Sequence, residues 1–216
     1  METQAIKSIA ASKLYVVATP AAAGQDVTAV VEKALRGGAD VVQLRDKHSS
    51  AADILKAAKK LKRICQAHDA LFIVNDRVDI ALASGADGVH LGQEDLPLDE
   101  ARKIVERYGR DNSFLIGRST HSLEQALAAQ NEGADYLGCG PVFATPTKPD
   151  YLAQGLELVR QYRERIRIPF VAIGGIDDSN ISQVAAAGAR CVAVVRAVMA
   201  HADPEAAARS LRSKIL

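Results

Sequence analysis

The chain has 216 residues, a formal net charge of +1, 48% apolar residues and 25% charged ones. That length suits one α/β domain with a sizeable core. A near-neutral charge without a long basic tract argues against nucleic acid and against a membrane surface. No stretch is apolar for long enough to span a bilayer.

The N-terminal METQAIKSIAASK lacks the apolar run of a secretory leader, so a cytoplasmic location is expected and residues 1–12 read as an extension. Strand-like runs then recur: LYVVA from Leu14, VVQL from Val41, LFIVN from Leu71, GVHL from Gly88, FLIGR from Phe114, YLGC from Tyr136, FVAIG from Phe170 and CVAVV from Cys191. An alanine-rich segment with helical spacing follows each of them, as in AADILKAAKKLKRICQ. Eight strands alternating with eight helices predict a (β/α)8 TIM barrel filling residues 1–216 as a single domain.

One motif repeats within this pattern. GGADVVQLR, SGADGVHLG, EGADYLGCG and AGARCVAVV each place a glycine (Gly38, Gly85, Gly133, Gly188), a small residue and a charged residue before a strand. The glycine fits a helix C-cap and the apolar run a buried strand. Cys65, Cys139 and Cys191 have neither zinc-site nor CxxC spacing and read as small apolar residues of the core.

In such barrels the active site lies at the C-terminal ends of the strands. This gathers Gln43, Arg45 and Lys47 after the second strand, and Asn75 and Asp76 after the third. His90, Gln93 and Asp95 come from the fourth, and Ser119 and His121 from the fifth. The long irregular segment PVFATPTKPDYLAQ adds Thr145, Thr147 and Lys148. Gly174 and Gly175 follow the seventh strand, and Arg196 the eighth. Arg45, Lys47 and Lys148 around Asp76 and Asp95 suggest a Mg²⁺ site completed by substrate phosphates, because magnesium commonly takes one or two carboxylates plus phosphate oxygens and water. A diphosphate fits that charge better than a single phosphate. The glycines of IGGI allow backbone N–H groups to approach a phosphate closely. His90 reads as a hydrogen-bonded structural residue, His121 as an acid–base group or a helix-cap residue, and His48, His68 and His201 as surface residues.

QLRDK, NDR, GVHLGQED, GRSTHS, GADYLGCGPVFATPTK and VAIGGI, in this order and spacing, resemble the thiamine-phosphate synthase family from Leu14 to about Met199. The resemblance implies a transferase that joins a hydroxymethylpyrimidine diphosphate to hydroxyethylthiazole phosphate and releases pyrophosphate. It implies small-molecule partners only, and it leaves a homo-oligomer open. It also implies that Gln43, Leu44, Arg45, Asp46, Lys47, Asn75 and Ser119 line the pyrimidine diphosphate site. Asp76 and Asp95 match the Mg²⁺ ligands, and Lys148 a diphosphate contact. Thr145 and Thr147 match residues at the thiazole phosphate, and Gly175, Val195 and Arg196 its cradle. Arg45, Lys47, Ser119 and Lys148 are the catalytic candidates. Arg196 departs from the family pattern, which usually has serine there. With a backbone cradle already satisfying the phosphate, its guanidinium is expected to turn outward to solvent or to an acid, the alternative being a charge-assisted contact to the phosphate. Two rivals stand beside this reading: a thiazole tautomerase, which GRSTHSLEQA also resembles and which would use His121 for proton transfer, and a non-catalytic regulator on the same barrel. The first gives no reason for the converging charge, and the second would be expected to have lost part of it.

Overall fold

A strand shows its successive side chains to opposite faces, so a strand buried on both sides reads as an unbroken apolar run. The computed structural model, which describes residues 8–24, 26–110, 113–145 and 152–215, bears out that reading. Strands β1 (Leu14–Ala18), β2 (Val41–Leu44), β3 (Leu71–Asn75), β4 (Gly88–Leu91), β5 (Leu115–Thr120), β6 (Tyr136–Cys139), β7 (Phe170–Ile173) and β8 (Cys191–Val194) form a closed barrel in sequence order. Every neighbouring pair is parallel, and β8 pairs with β1 to close the ring.

The helices are α1 (Pro20–Ala23), α2 (Val27–Arg36), α3 (Ala51–Ala67), α4 (Val78–Ser84), α5 (Leu98–Arg107), α6 (Leu123–Asn131), α7 (Gly155–Arg165), α8 (Ile181–Ala186), α9 (Arg196–Met199) and α10 (Pro204–Ser213). Eight are the crossover helices of the repeat, and α1 and α9 are single added turns. Local chemistry fixes their starts: the hydroxyls of Ser50 and Ser122 accept the backbone N–H groups of Asp53 and Gln125 at the heads of α3 and α6. Among the described residues no helix is long and apolar enough to cross a membrane.

Alternation divides the core in two. Leu14, Val16, Val42, Leu44, Phe72, Val74, Leu137 and Val192 point outward and pack under the helices. Tyr15, Val17, Val41, Leu71, Ile73, Tyr136, Val171 and Ala193 fill the barrel interior. Ile9, in a short 3₁₀ turn over Ile9–Ala11, joins the interior group at 3% exposure, so this part of the expected extension packs into the barrel. Cys65, Cys139 and Cys191 are all buried, as expected of small apolar residues of the core.

The repeated motif has a structural purpose at the other rim. Its glycines Gly38, Gly85, Gly133 and Gly188 all adopt positive φ, as helix ends require. The acids then reach back to the preceding strand. Asp40 accepts the N–H groups of Lys13 and Leu14 at 2.8 and 3.0 Å. Asp87 accepts that of Phe72 at 2.8 Å, and Asp135 that of Ile116 at 2.6 Å. Each is also paired with a cation from a helix: Arg212, Lys62 and Arg102. These acids hold the N-terminal rim, where residues serve stability and leave the opposite rim to chemistry.

Candidate active site

A cavity of about 570 Å³ opens at the C-terminal rim. The inward parity of β2 that buries Val41 also carries Gln43 and Arg45 inward, and both line the cavity. Asn75, His90, Ser119, His121, Thr145, Gly174, Gly175, Val195 and Arg196 line it as well. Thr147 and Lys148 lie outside the described residues.

Two residues of QLRDK are placed differently from expectation. Leu44 has the opposite parity to Gln43, and its side chain packs against the helices at 1% exposure, away from the cavity. Asp46 does not line the cavity either. Its Oδ1 accepts the N–H groups of His48 and Ser49 at 3.0 and 3.1 Å and so shapes the turn into α3. Burial alone would raise its carboxyl, but hydrogen bonds from Ser49 and His48 hold it below the usual carboxylate value.

Lys47, Asp76 and Asp95 come together beside this opening. Lys47 Nζ stands 3.5 Å from Asp76 Oδ2. Asp76 directly follows the cavity-lining Asn75 and adopts a φ of 63°, a left-handed conformation uncommon for non-glycine residues. Burial first, and the neighbouring Asp95 second, push the Asp76 carboxyl up to about 6, against a weaker opposing pull from Lys47. Asp95 Oδ2 accepts the Gly92 N–H at 2.6 Å. Its loop is tied to β5 by Arg118, whose guanidinium donates to the carbonyls of Gln93 and Leu96 at 3.2 Å each, and by Gln93 Nε2, which donates to Ser119 O at 2.6 Å.

Two like charges that resist ionising together favour a cation between them. Among the described residues no group of three or more His, Cys, Asp or Glu side chains could hold a metal. A Mg²⁺ ion at Asp76 and Asp95 therefore fits only if phosphate oxygens and water complete its shell, which is its usual habit.

On the opposite wall Gly174 and Gly175 have φ values of 108° and 61°. A Cβ on Gly174 would lie 2.5 Å from Pro141 Cα, and one on Gly175 2.5 Å from Ala144 O. Both the dihedral angle and the close passage of the 141–144 backbone therefore demand glycine. Arg196 begins α9 beside this bend and lines the cavity. Arg196 is exposed, in keeping with a turn toward solvent, and among the described residues it forms no ion pair with an acid.

The histidines divide much as their sequence positions suggest. His48 and His68 are exposed, whereas His201 is exposed yet also borders the cavity. His90 is hydrogen-bonded on both ring nitrogens, to Tyr136 Oη at 3.1 Å and Ser119 Oγ at 2.9 Å. His121 Nδ1 contacts Gly140 O, and its backbone N–H donates to Gln125 Oε1 at 2.8 Å.

Residues 14–198 match the family described as thiamine monophosphate synthase. The chain belongs to that family. The thiamine-phosphate synthase of Thermosynechococcus vestitus is 49% identical over 97% of this chain and 58% of its own length. That of Shouchella clausii is 46% identical over 87% of this chain and 88% of its own. The chain spans about half the length of the first curated relatives it matches, at 58%, 55% and 50% of theirs. The solved thiamine phosphate pyrophosphorylase of Pyrococcus furiosus superposes with a TM-score of 0.85 at 42% identity, covering 94% of each chain. In this thiamine monophosphate synthase family member, sequence reading missed Tyr15, Tyr136 and Arg118. The two tyrosines sit on strands like any core aromatic, and the available signal was their inward parity together with hydroxyls that need partners when buried.

Proposed function

We propose that the protein is a thiamine-phosphate synthase, a cytoplasmic transferase that joins hydroxymethylpyrimidine diphosphate to hydroxyethylthiazole phosphate. The observation that carries this reading is the Asp76–Asp95 carboxylate pair with Lys47, beside a cavity whose far wall is bent at Gly174 and Gly175. Such a site suits one molecule bearing a diphosphate and another bearing a phosphate.

In the reaction the bond from the pyrimidine methylene carbon to the diphosphate oxygen breaks, and its electron pair leaves with pyrophosphate. The aminopyrimidine delocalises the resulting cation, and the thiazole nitrogen donates its lone pair to form the new carbon–nitrogen bond. No protein nucleophile is required. Mg²⁺, when bound at Asp76 and Asp95, supplies charge neutralisation for the diphosphate. Arg45 and Lys47 add fixed positive charge where negative charge develops on the leaving group, and Lys148 is assigned the same work by its place in the ATPTK motif. Gln43 and Asn75 orient the pyrimidine, and Ser119 faces its diphosphate. Backbone N–H groups near Gly175 and Val195, with the Arg196 guanidinium, hold the thiazole phosphate so that capture is a matter of position.

The test mixes both substrates with Mg²⁺ and follows pyrophosphate and thiamine phosphate. Stoichiometric appearance of both supports the synthase. Thiazole isomerisation without pyrophosphate would make the protein a tautomerase, and neither activity would make it a regulator.

A further inference from the structure

Beneath the cavity lies a chain of side-chain hydrogen bonds that the proposed reaction does not by itself require. Gln43 Nε2 donates to Tyr15 Oη at 2.8 Å. Tyr15 Oη meets Tyr136 Oη at 3.2 Å, Tyr136 Oη meets His90 Nδ1 at 3.1 Å, and His90 Nε2 meets Ser119 Oγ at 2.9 Å. All five residues line the cavity, and the two tyrosines are almost wholly buried.

The first bond and burial together favour one direction. Tyr15 oxygen accepts from the Gln43 amide, and its own buried proton needs an acceptor, which Tyr136 Oη offers at 3.2 Å. With its oxygen so engaged, Tyr136 donates its O–H hydrogen bond to His90 Nδ1. An imidazole that accepts at Nδ1 carries its proton at Nε2, which it donates to Ser119 Oγ. Ser119 has received a hydrogen bond and has one proton left to give, and its remaining side is the cavity. Burial, the largest effect on both tyrosines, pushes their hydroxyls well above the ordinary value, so they stay protonated and able to donate.

The barrel makes room for this arrangement. A Cβ on Gly117 would lie 2.2 Å from Tyr136 Cζ and 2.6 Å from His90 Nδ1, so that strand position stays empty of side chain. Gly138 leaves a second space, its Cβ position 3.4 Å from His90 Cε1 and Nε2.

We infer that Gln43, Tyr15, Tyr136 and His90 form a one-way hydrogen-bond relay that makes Ser119 an obligate donor into the cavity. His90 and Tyr136 are thus positioning residues acting through Ser119. This deepens the proposed function, on which its last step rests: the serine proton is aimed at an oxygen of the departing diphosphate, where a donor helps most as negative charge develops.

The first test needs no substrate. In ¹⁵N-histidine NMR of the wild-type protein near neutral pH, with His90 assigned from the His90→Gln spectrum, the ring should show the neutral Nε2–H tautomer. An Nδ1–H tautomer or an imidazolium would overturn the relay even in a fully active enzyme. The second test is Tyr136→Phe, which removes the donor to Nδ1. It should shift His90 away from the pure Nε2–H tautomer and slow single-turnover pyrophosphate release about tenfold, with both KM values within about twofold. An unchanged tautomer and rate would refute the relay. Should wild-type protein release no pyrophosphate while His90 shows the Nε2–H form, the functional reading fails and the relay stands.

Discussion

Asp95→Asn removes one of the two carboxylates at the rim, while the amide oxygen can keep the hydrogen bond from Gly92 N–H. The Asp76 carboxyl is raised from 3.8 to about 6, by burial first and by Asp95 second, and its side chain is only 24% exposed. At about 1.4 kcal/mol per pH unit, this favours the protonated native form by on the order of 3 kcal/mol. A carboxyl raised by folding binds its proton more tightly in the native state than in the unfolded one. The contribution of Asp76 to stability is therefore greatest below about pH 4, declines as pH rises from about 4 to about 6, and is flat above. Because Asp95 is the smaller cause, its removal should recover roughly 1 kcal/mol at about pH 8 and much less at about pH 5. Urea unfolding of the metal-free protein in chelator, at those two pH values, measures both. Adding Mg²⁺ should stabilise wild type more than the variant, and pyrophosphate release by the variant should fall more than about tenfold. A variant no more stable than wild type at about pH 8 would refute the claim that the two carboxylates oppose each other.

Arg118→Ala frees the loop that carries Asp95 and should raise the Mg²⁺ concentration for half-maximal activity about tenfold; an unchanged requirement would mean the loop holds itself. Arg196→Ser should raise the KM for thiazole phosphate about tenfold. That is the low end for a charge-assisted hydrogen bond of ~1.5–3 kcal/mol, as suits an exposed guanidinium. A change below about twofold would place Arg196 outside phosphate binding. His121→Ala should retain substantial pyrophosphate release, and a loss beyond about a hundredfold in a folded variant would make His121 an essential proton carrier.

The barrel was legible because each of its strands is a short apolar run bounded by turn or cap residues, and a recurring glycine marks four of them. The rim residues were legible for a related reason: polar side chains immediately after a buried strand have only one place to go. Within a strand the reading was coarser. Gln43, Leu44 and Arg45 were grouped as one motif, although alternation sends Leu44 to the helices and its neighbours to the cavity. Tyr15 and Tyr136 were hidden because a buried tyrosine looks like packing until the partner of its hydroxyl is known, and those partners come from 28 and 121 residues away. Arg118 holds Asp95's loop through backbone carbonyls, which leave no trace in residue types.

The aspartates of the repeated motif fasten β1, β3 and β5 to the strands that follow them in the ring. In the fourth copy the place is held by Arg190, whose side chain has no acceptor to offer a backbone N–H. The strand that would receive that stitch is β7, which runs directly into Gly174 and Gly175. The sheet is thus stapled at three alternate seams and left unstapled at the fourth, beside the bends proposed to receive a phosphate. Amide hydrogen exchange should find β7 opening at a lower free energy than β1, β3 or β5. The wall that takes up and releases cargo would then be the one that breathes.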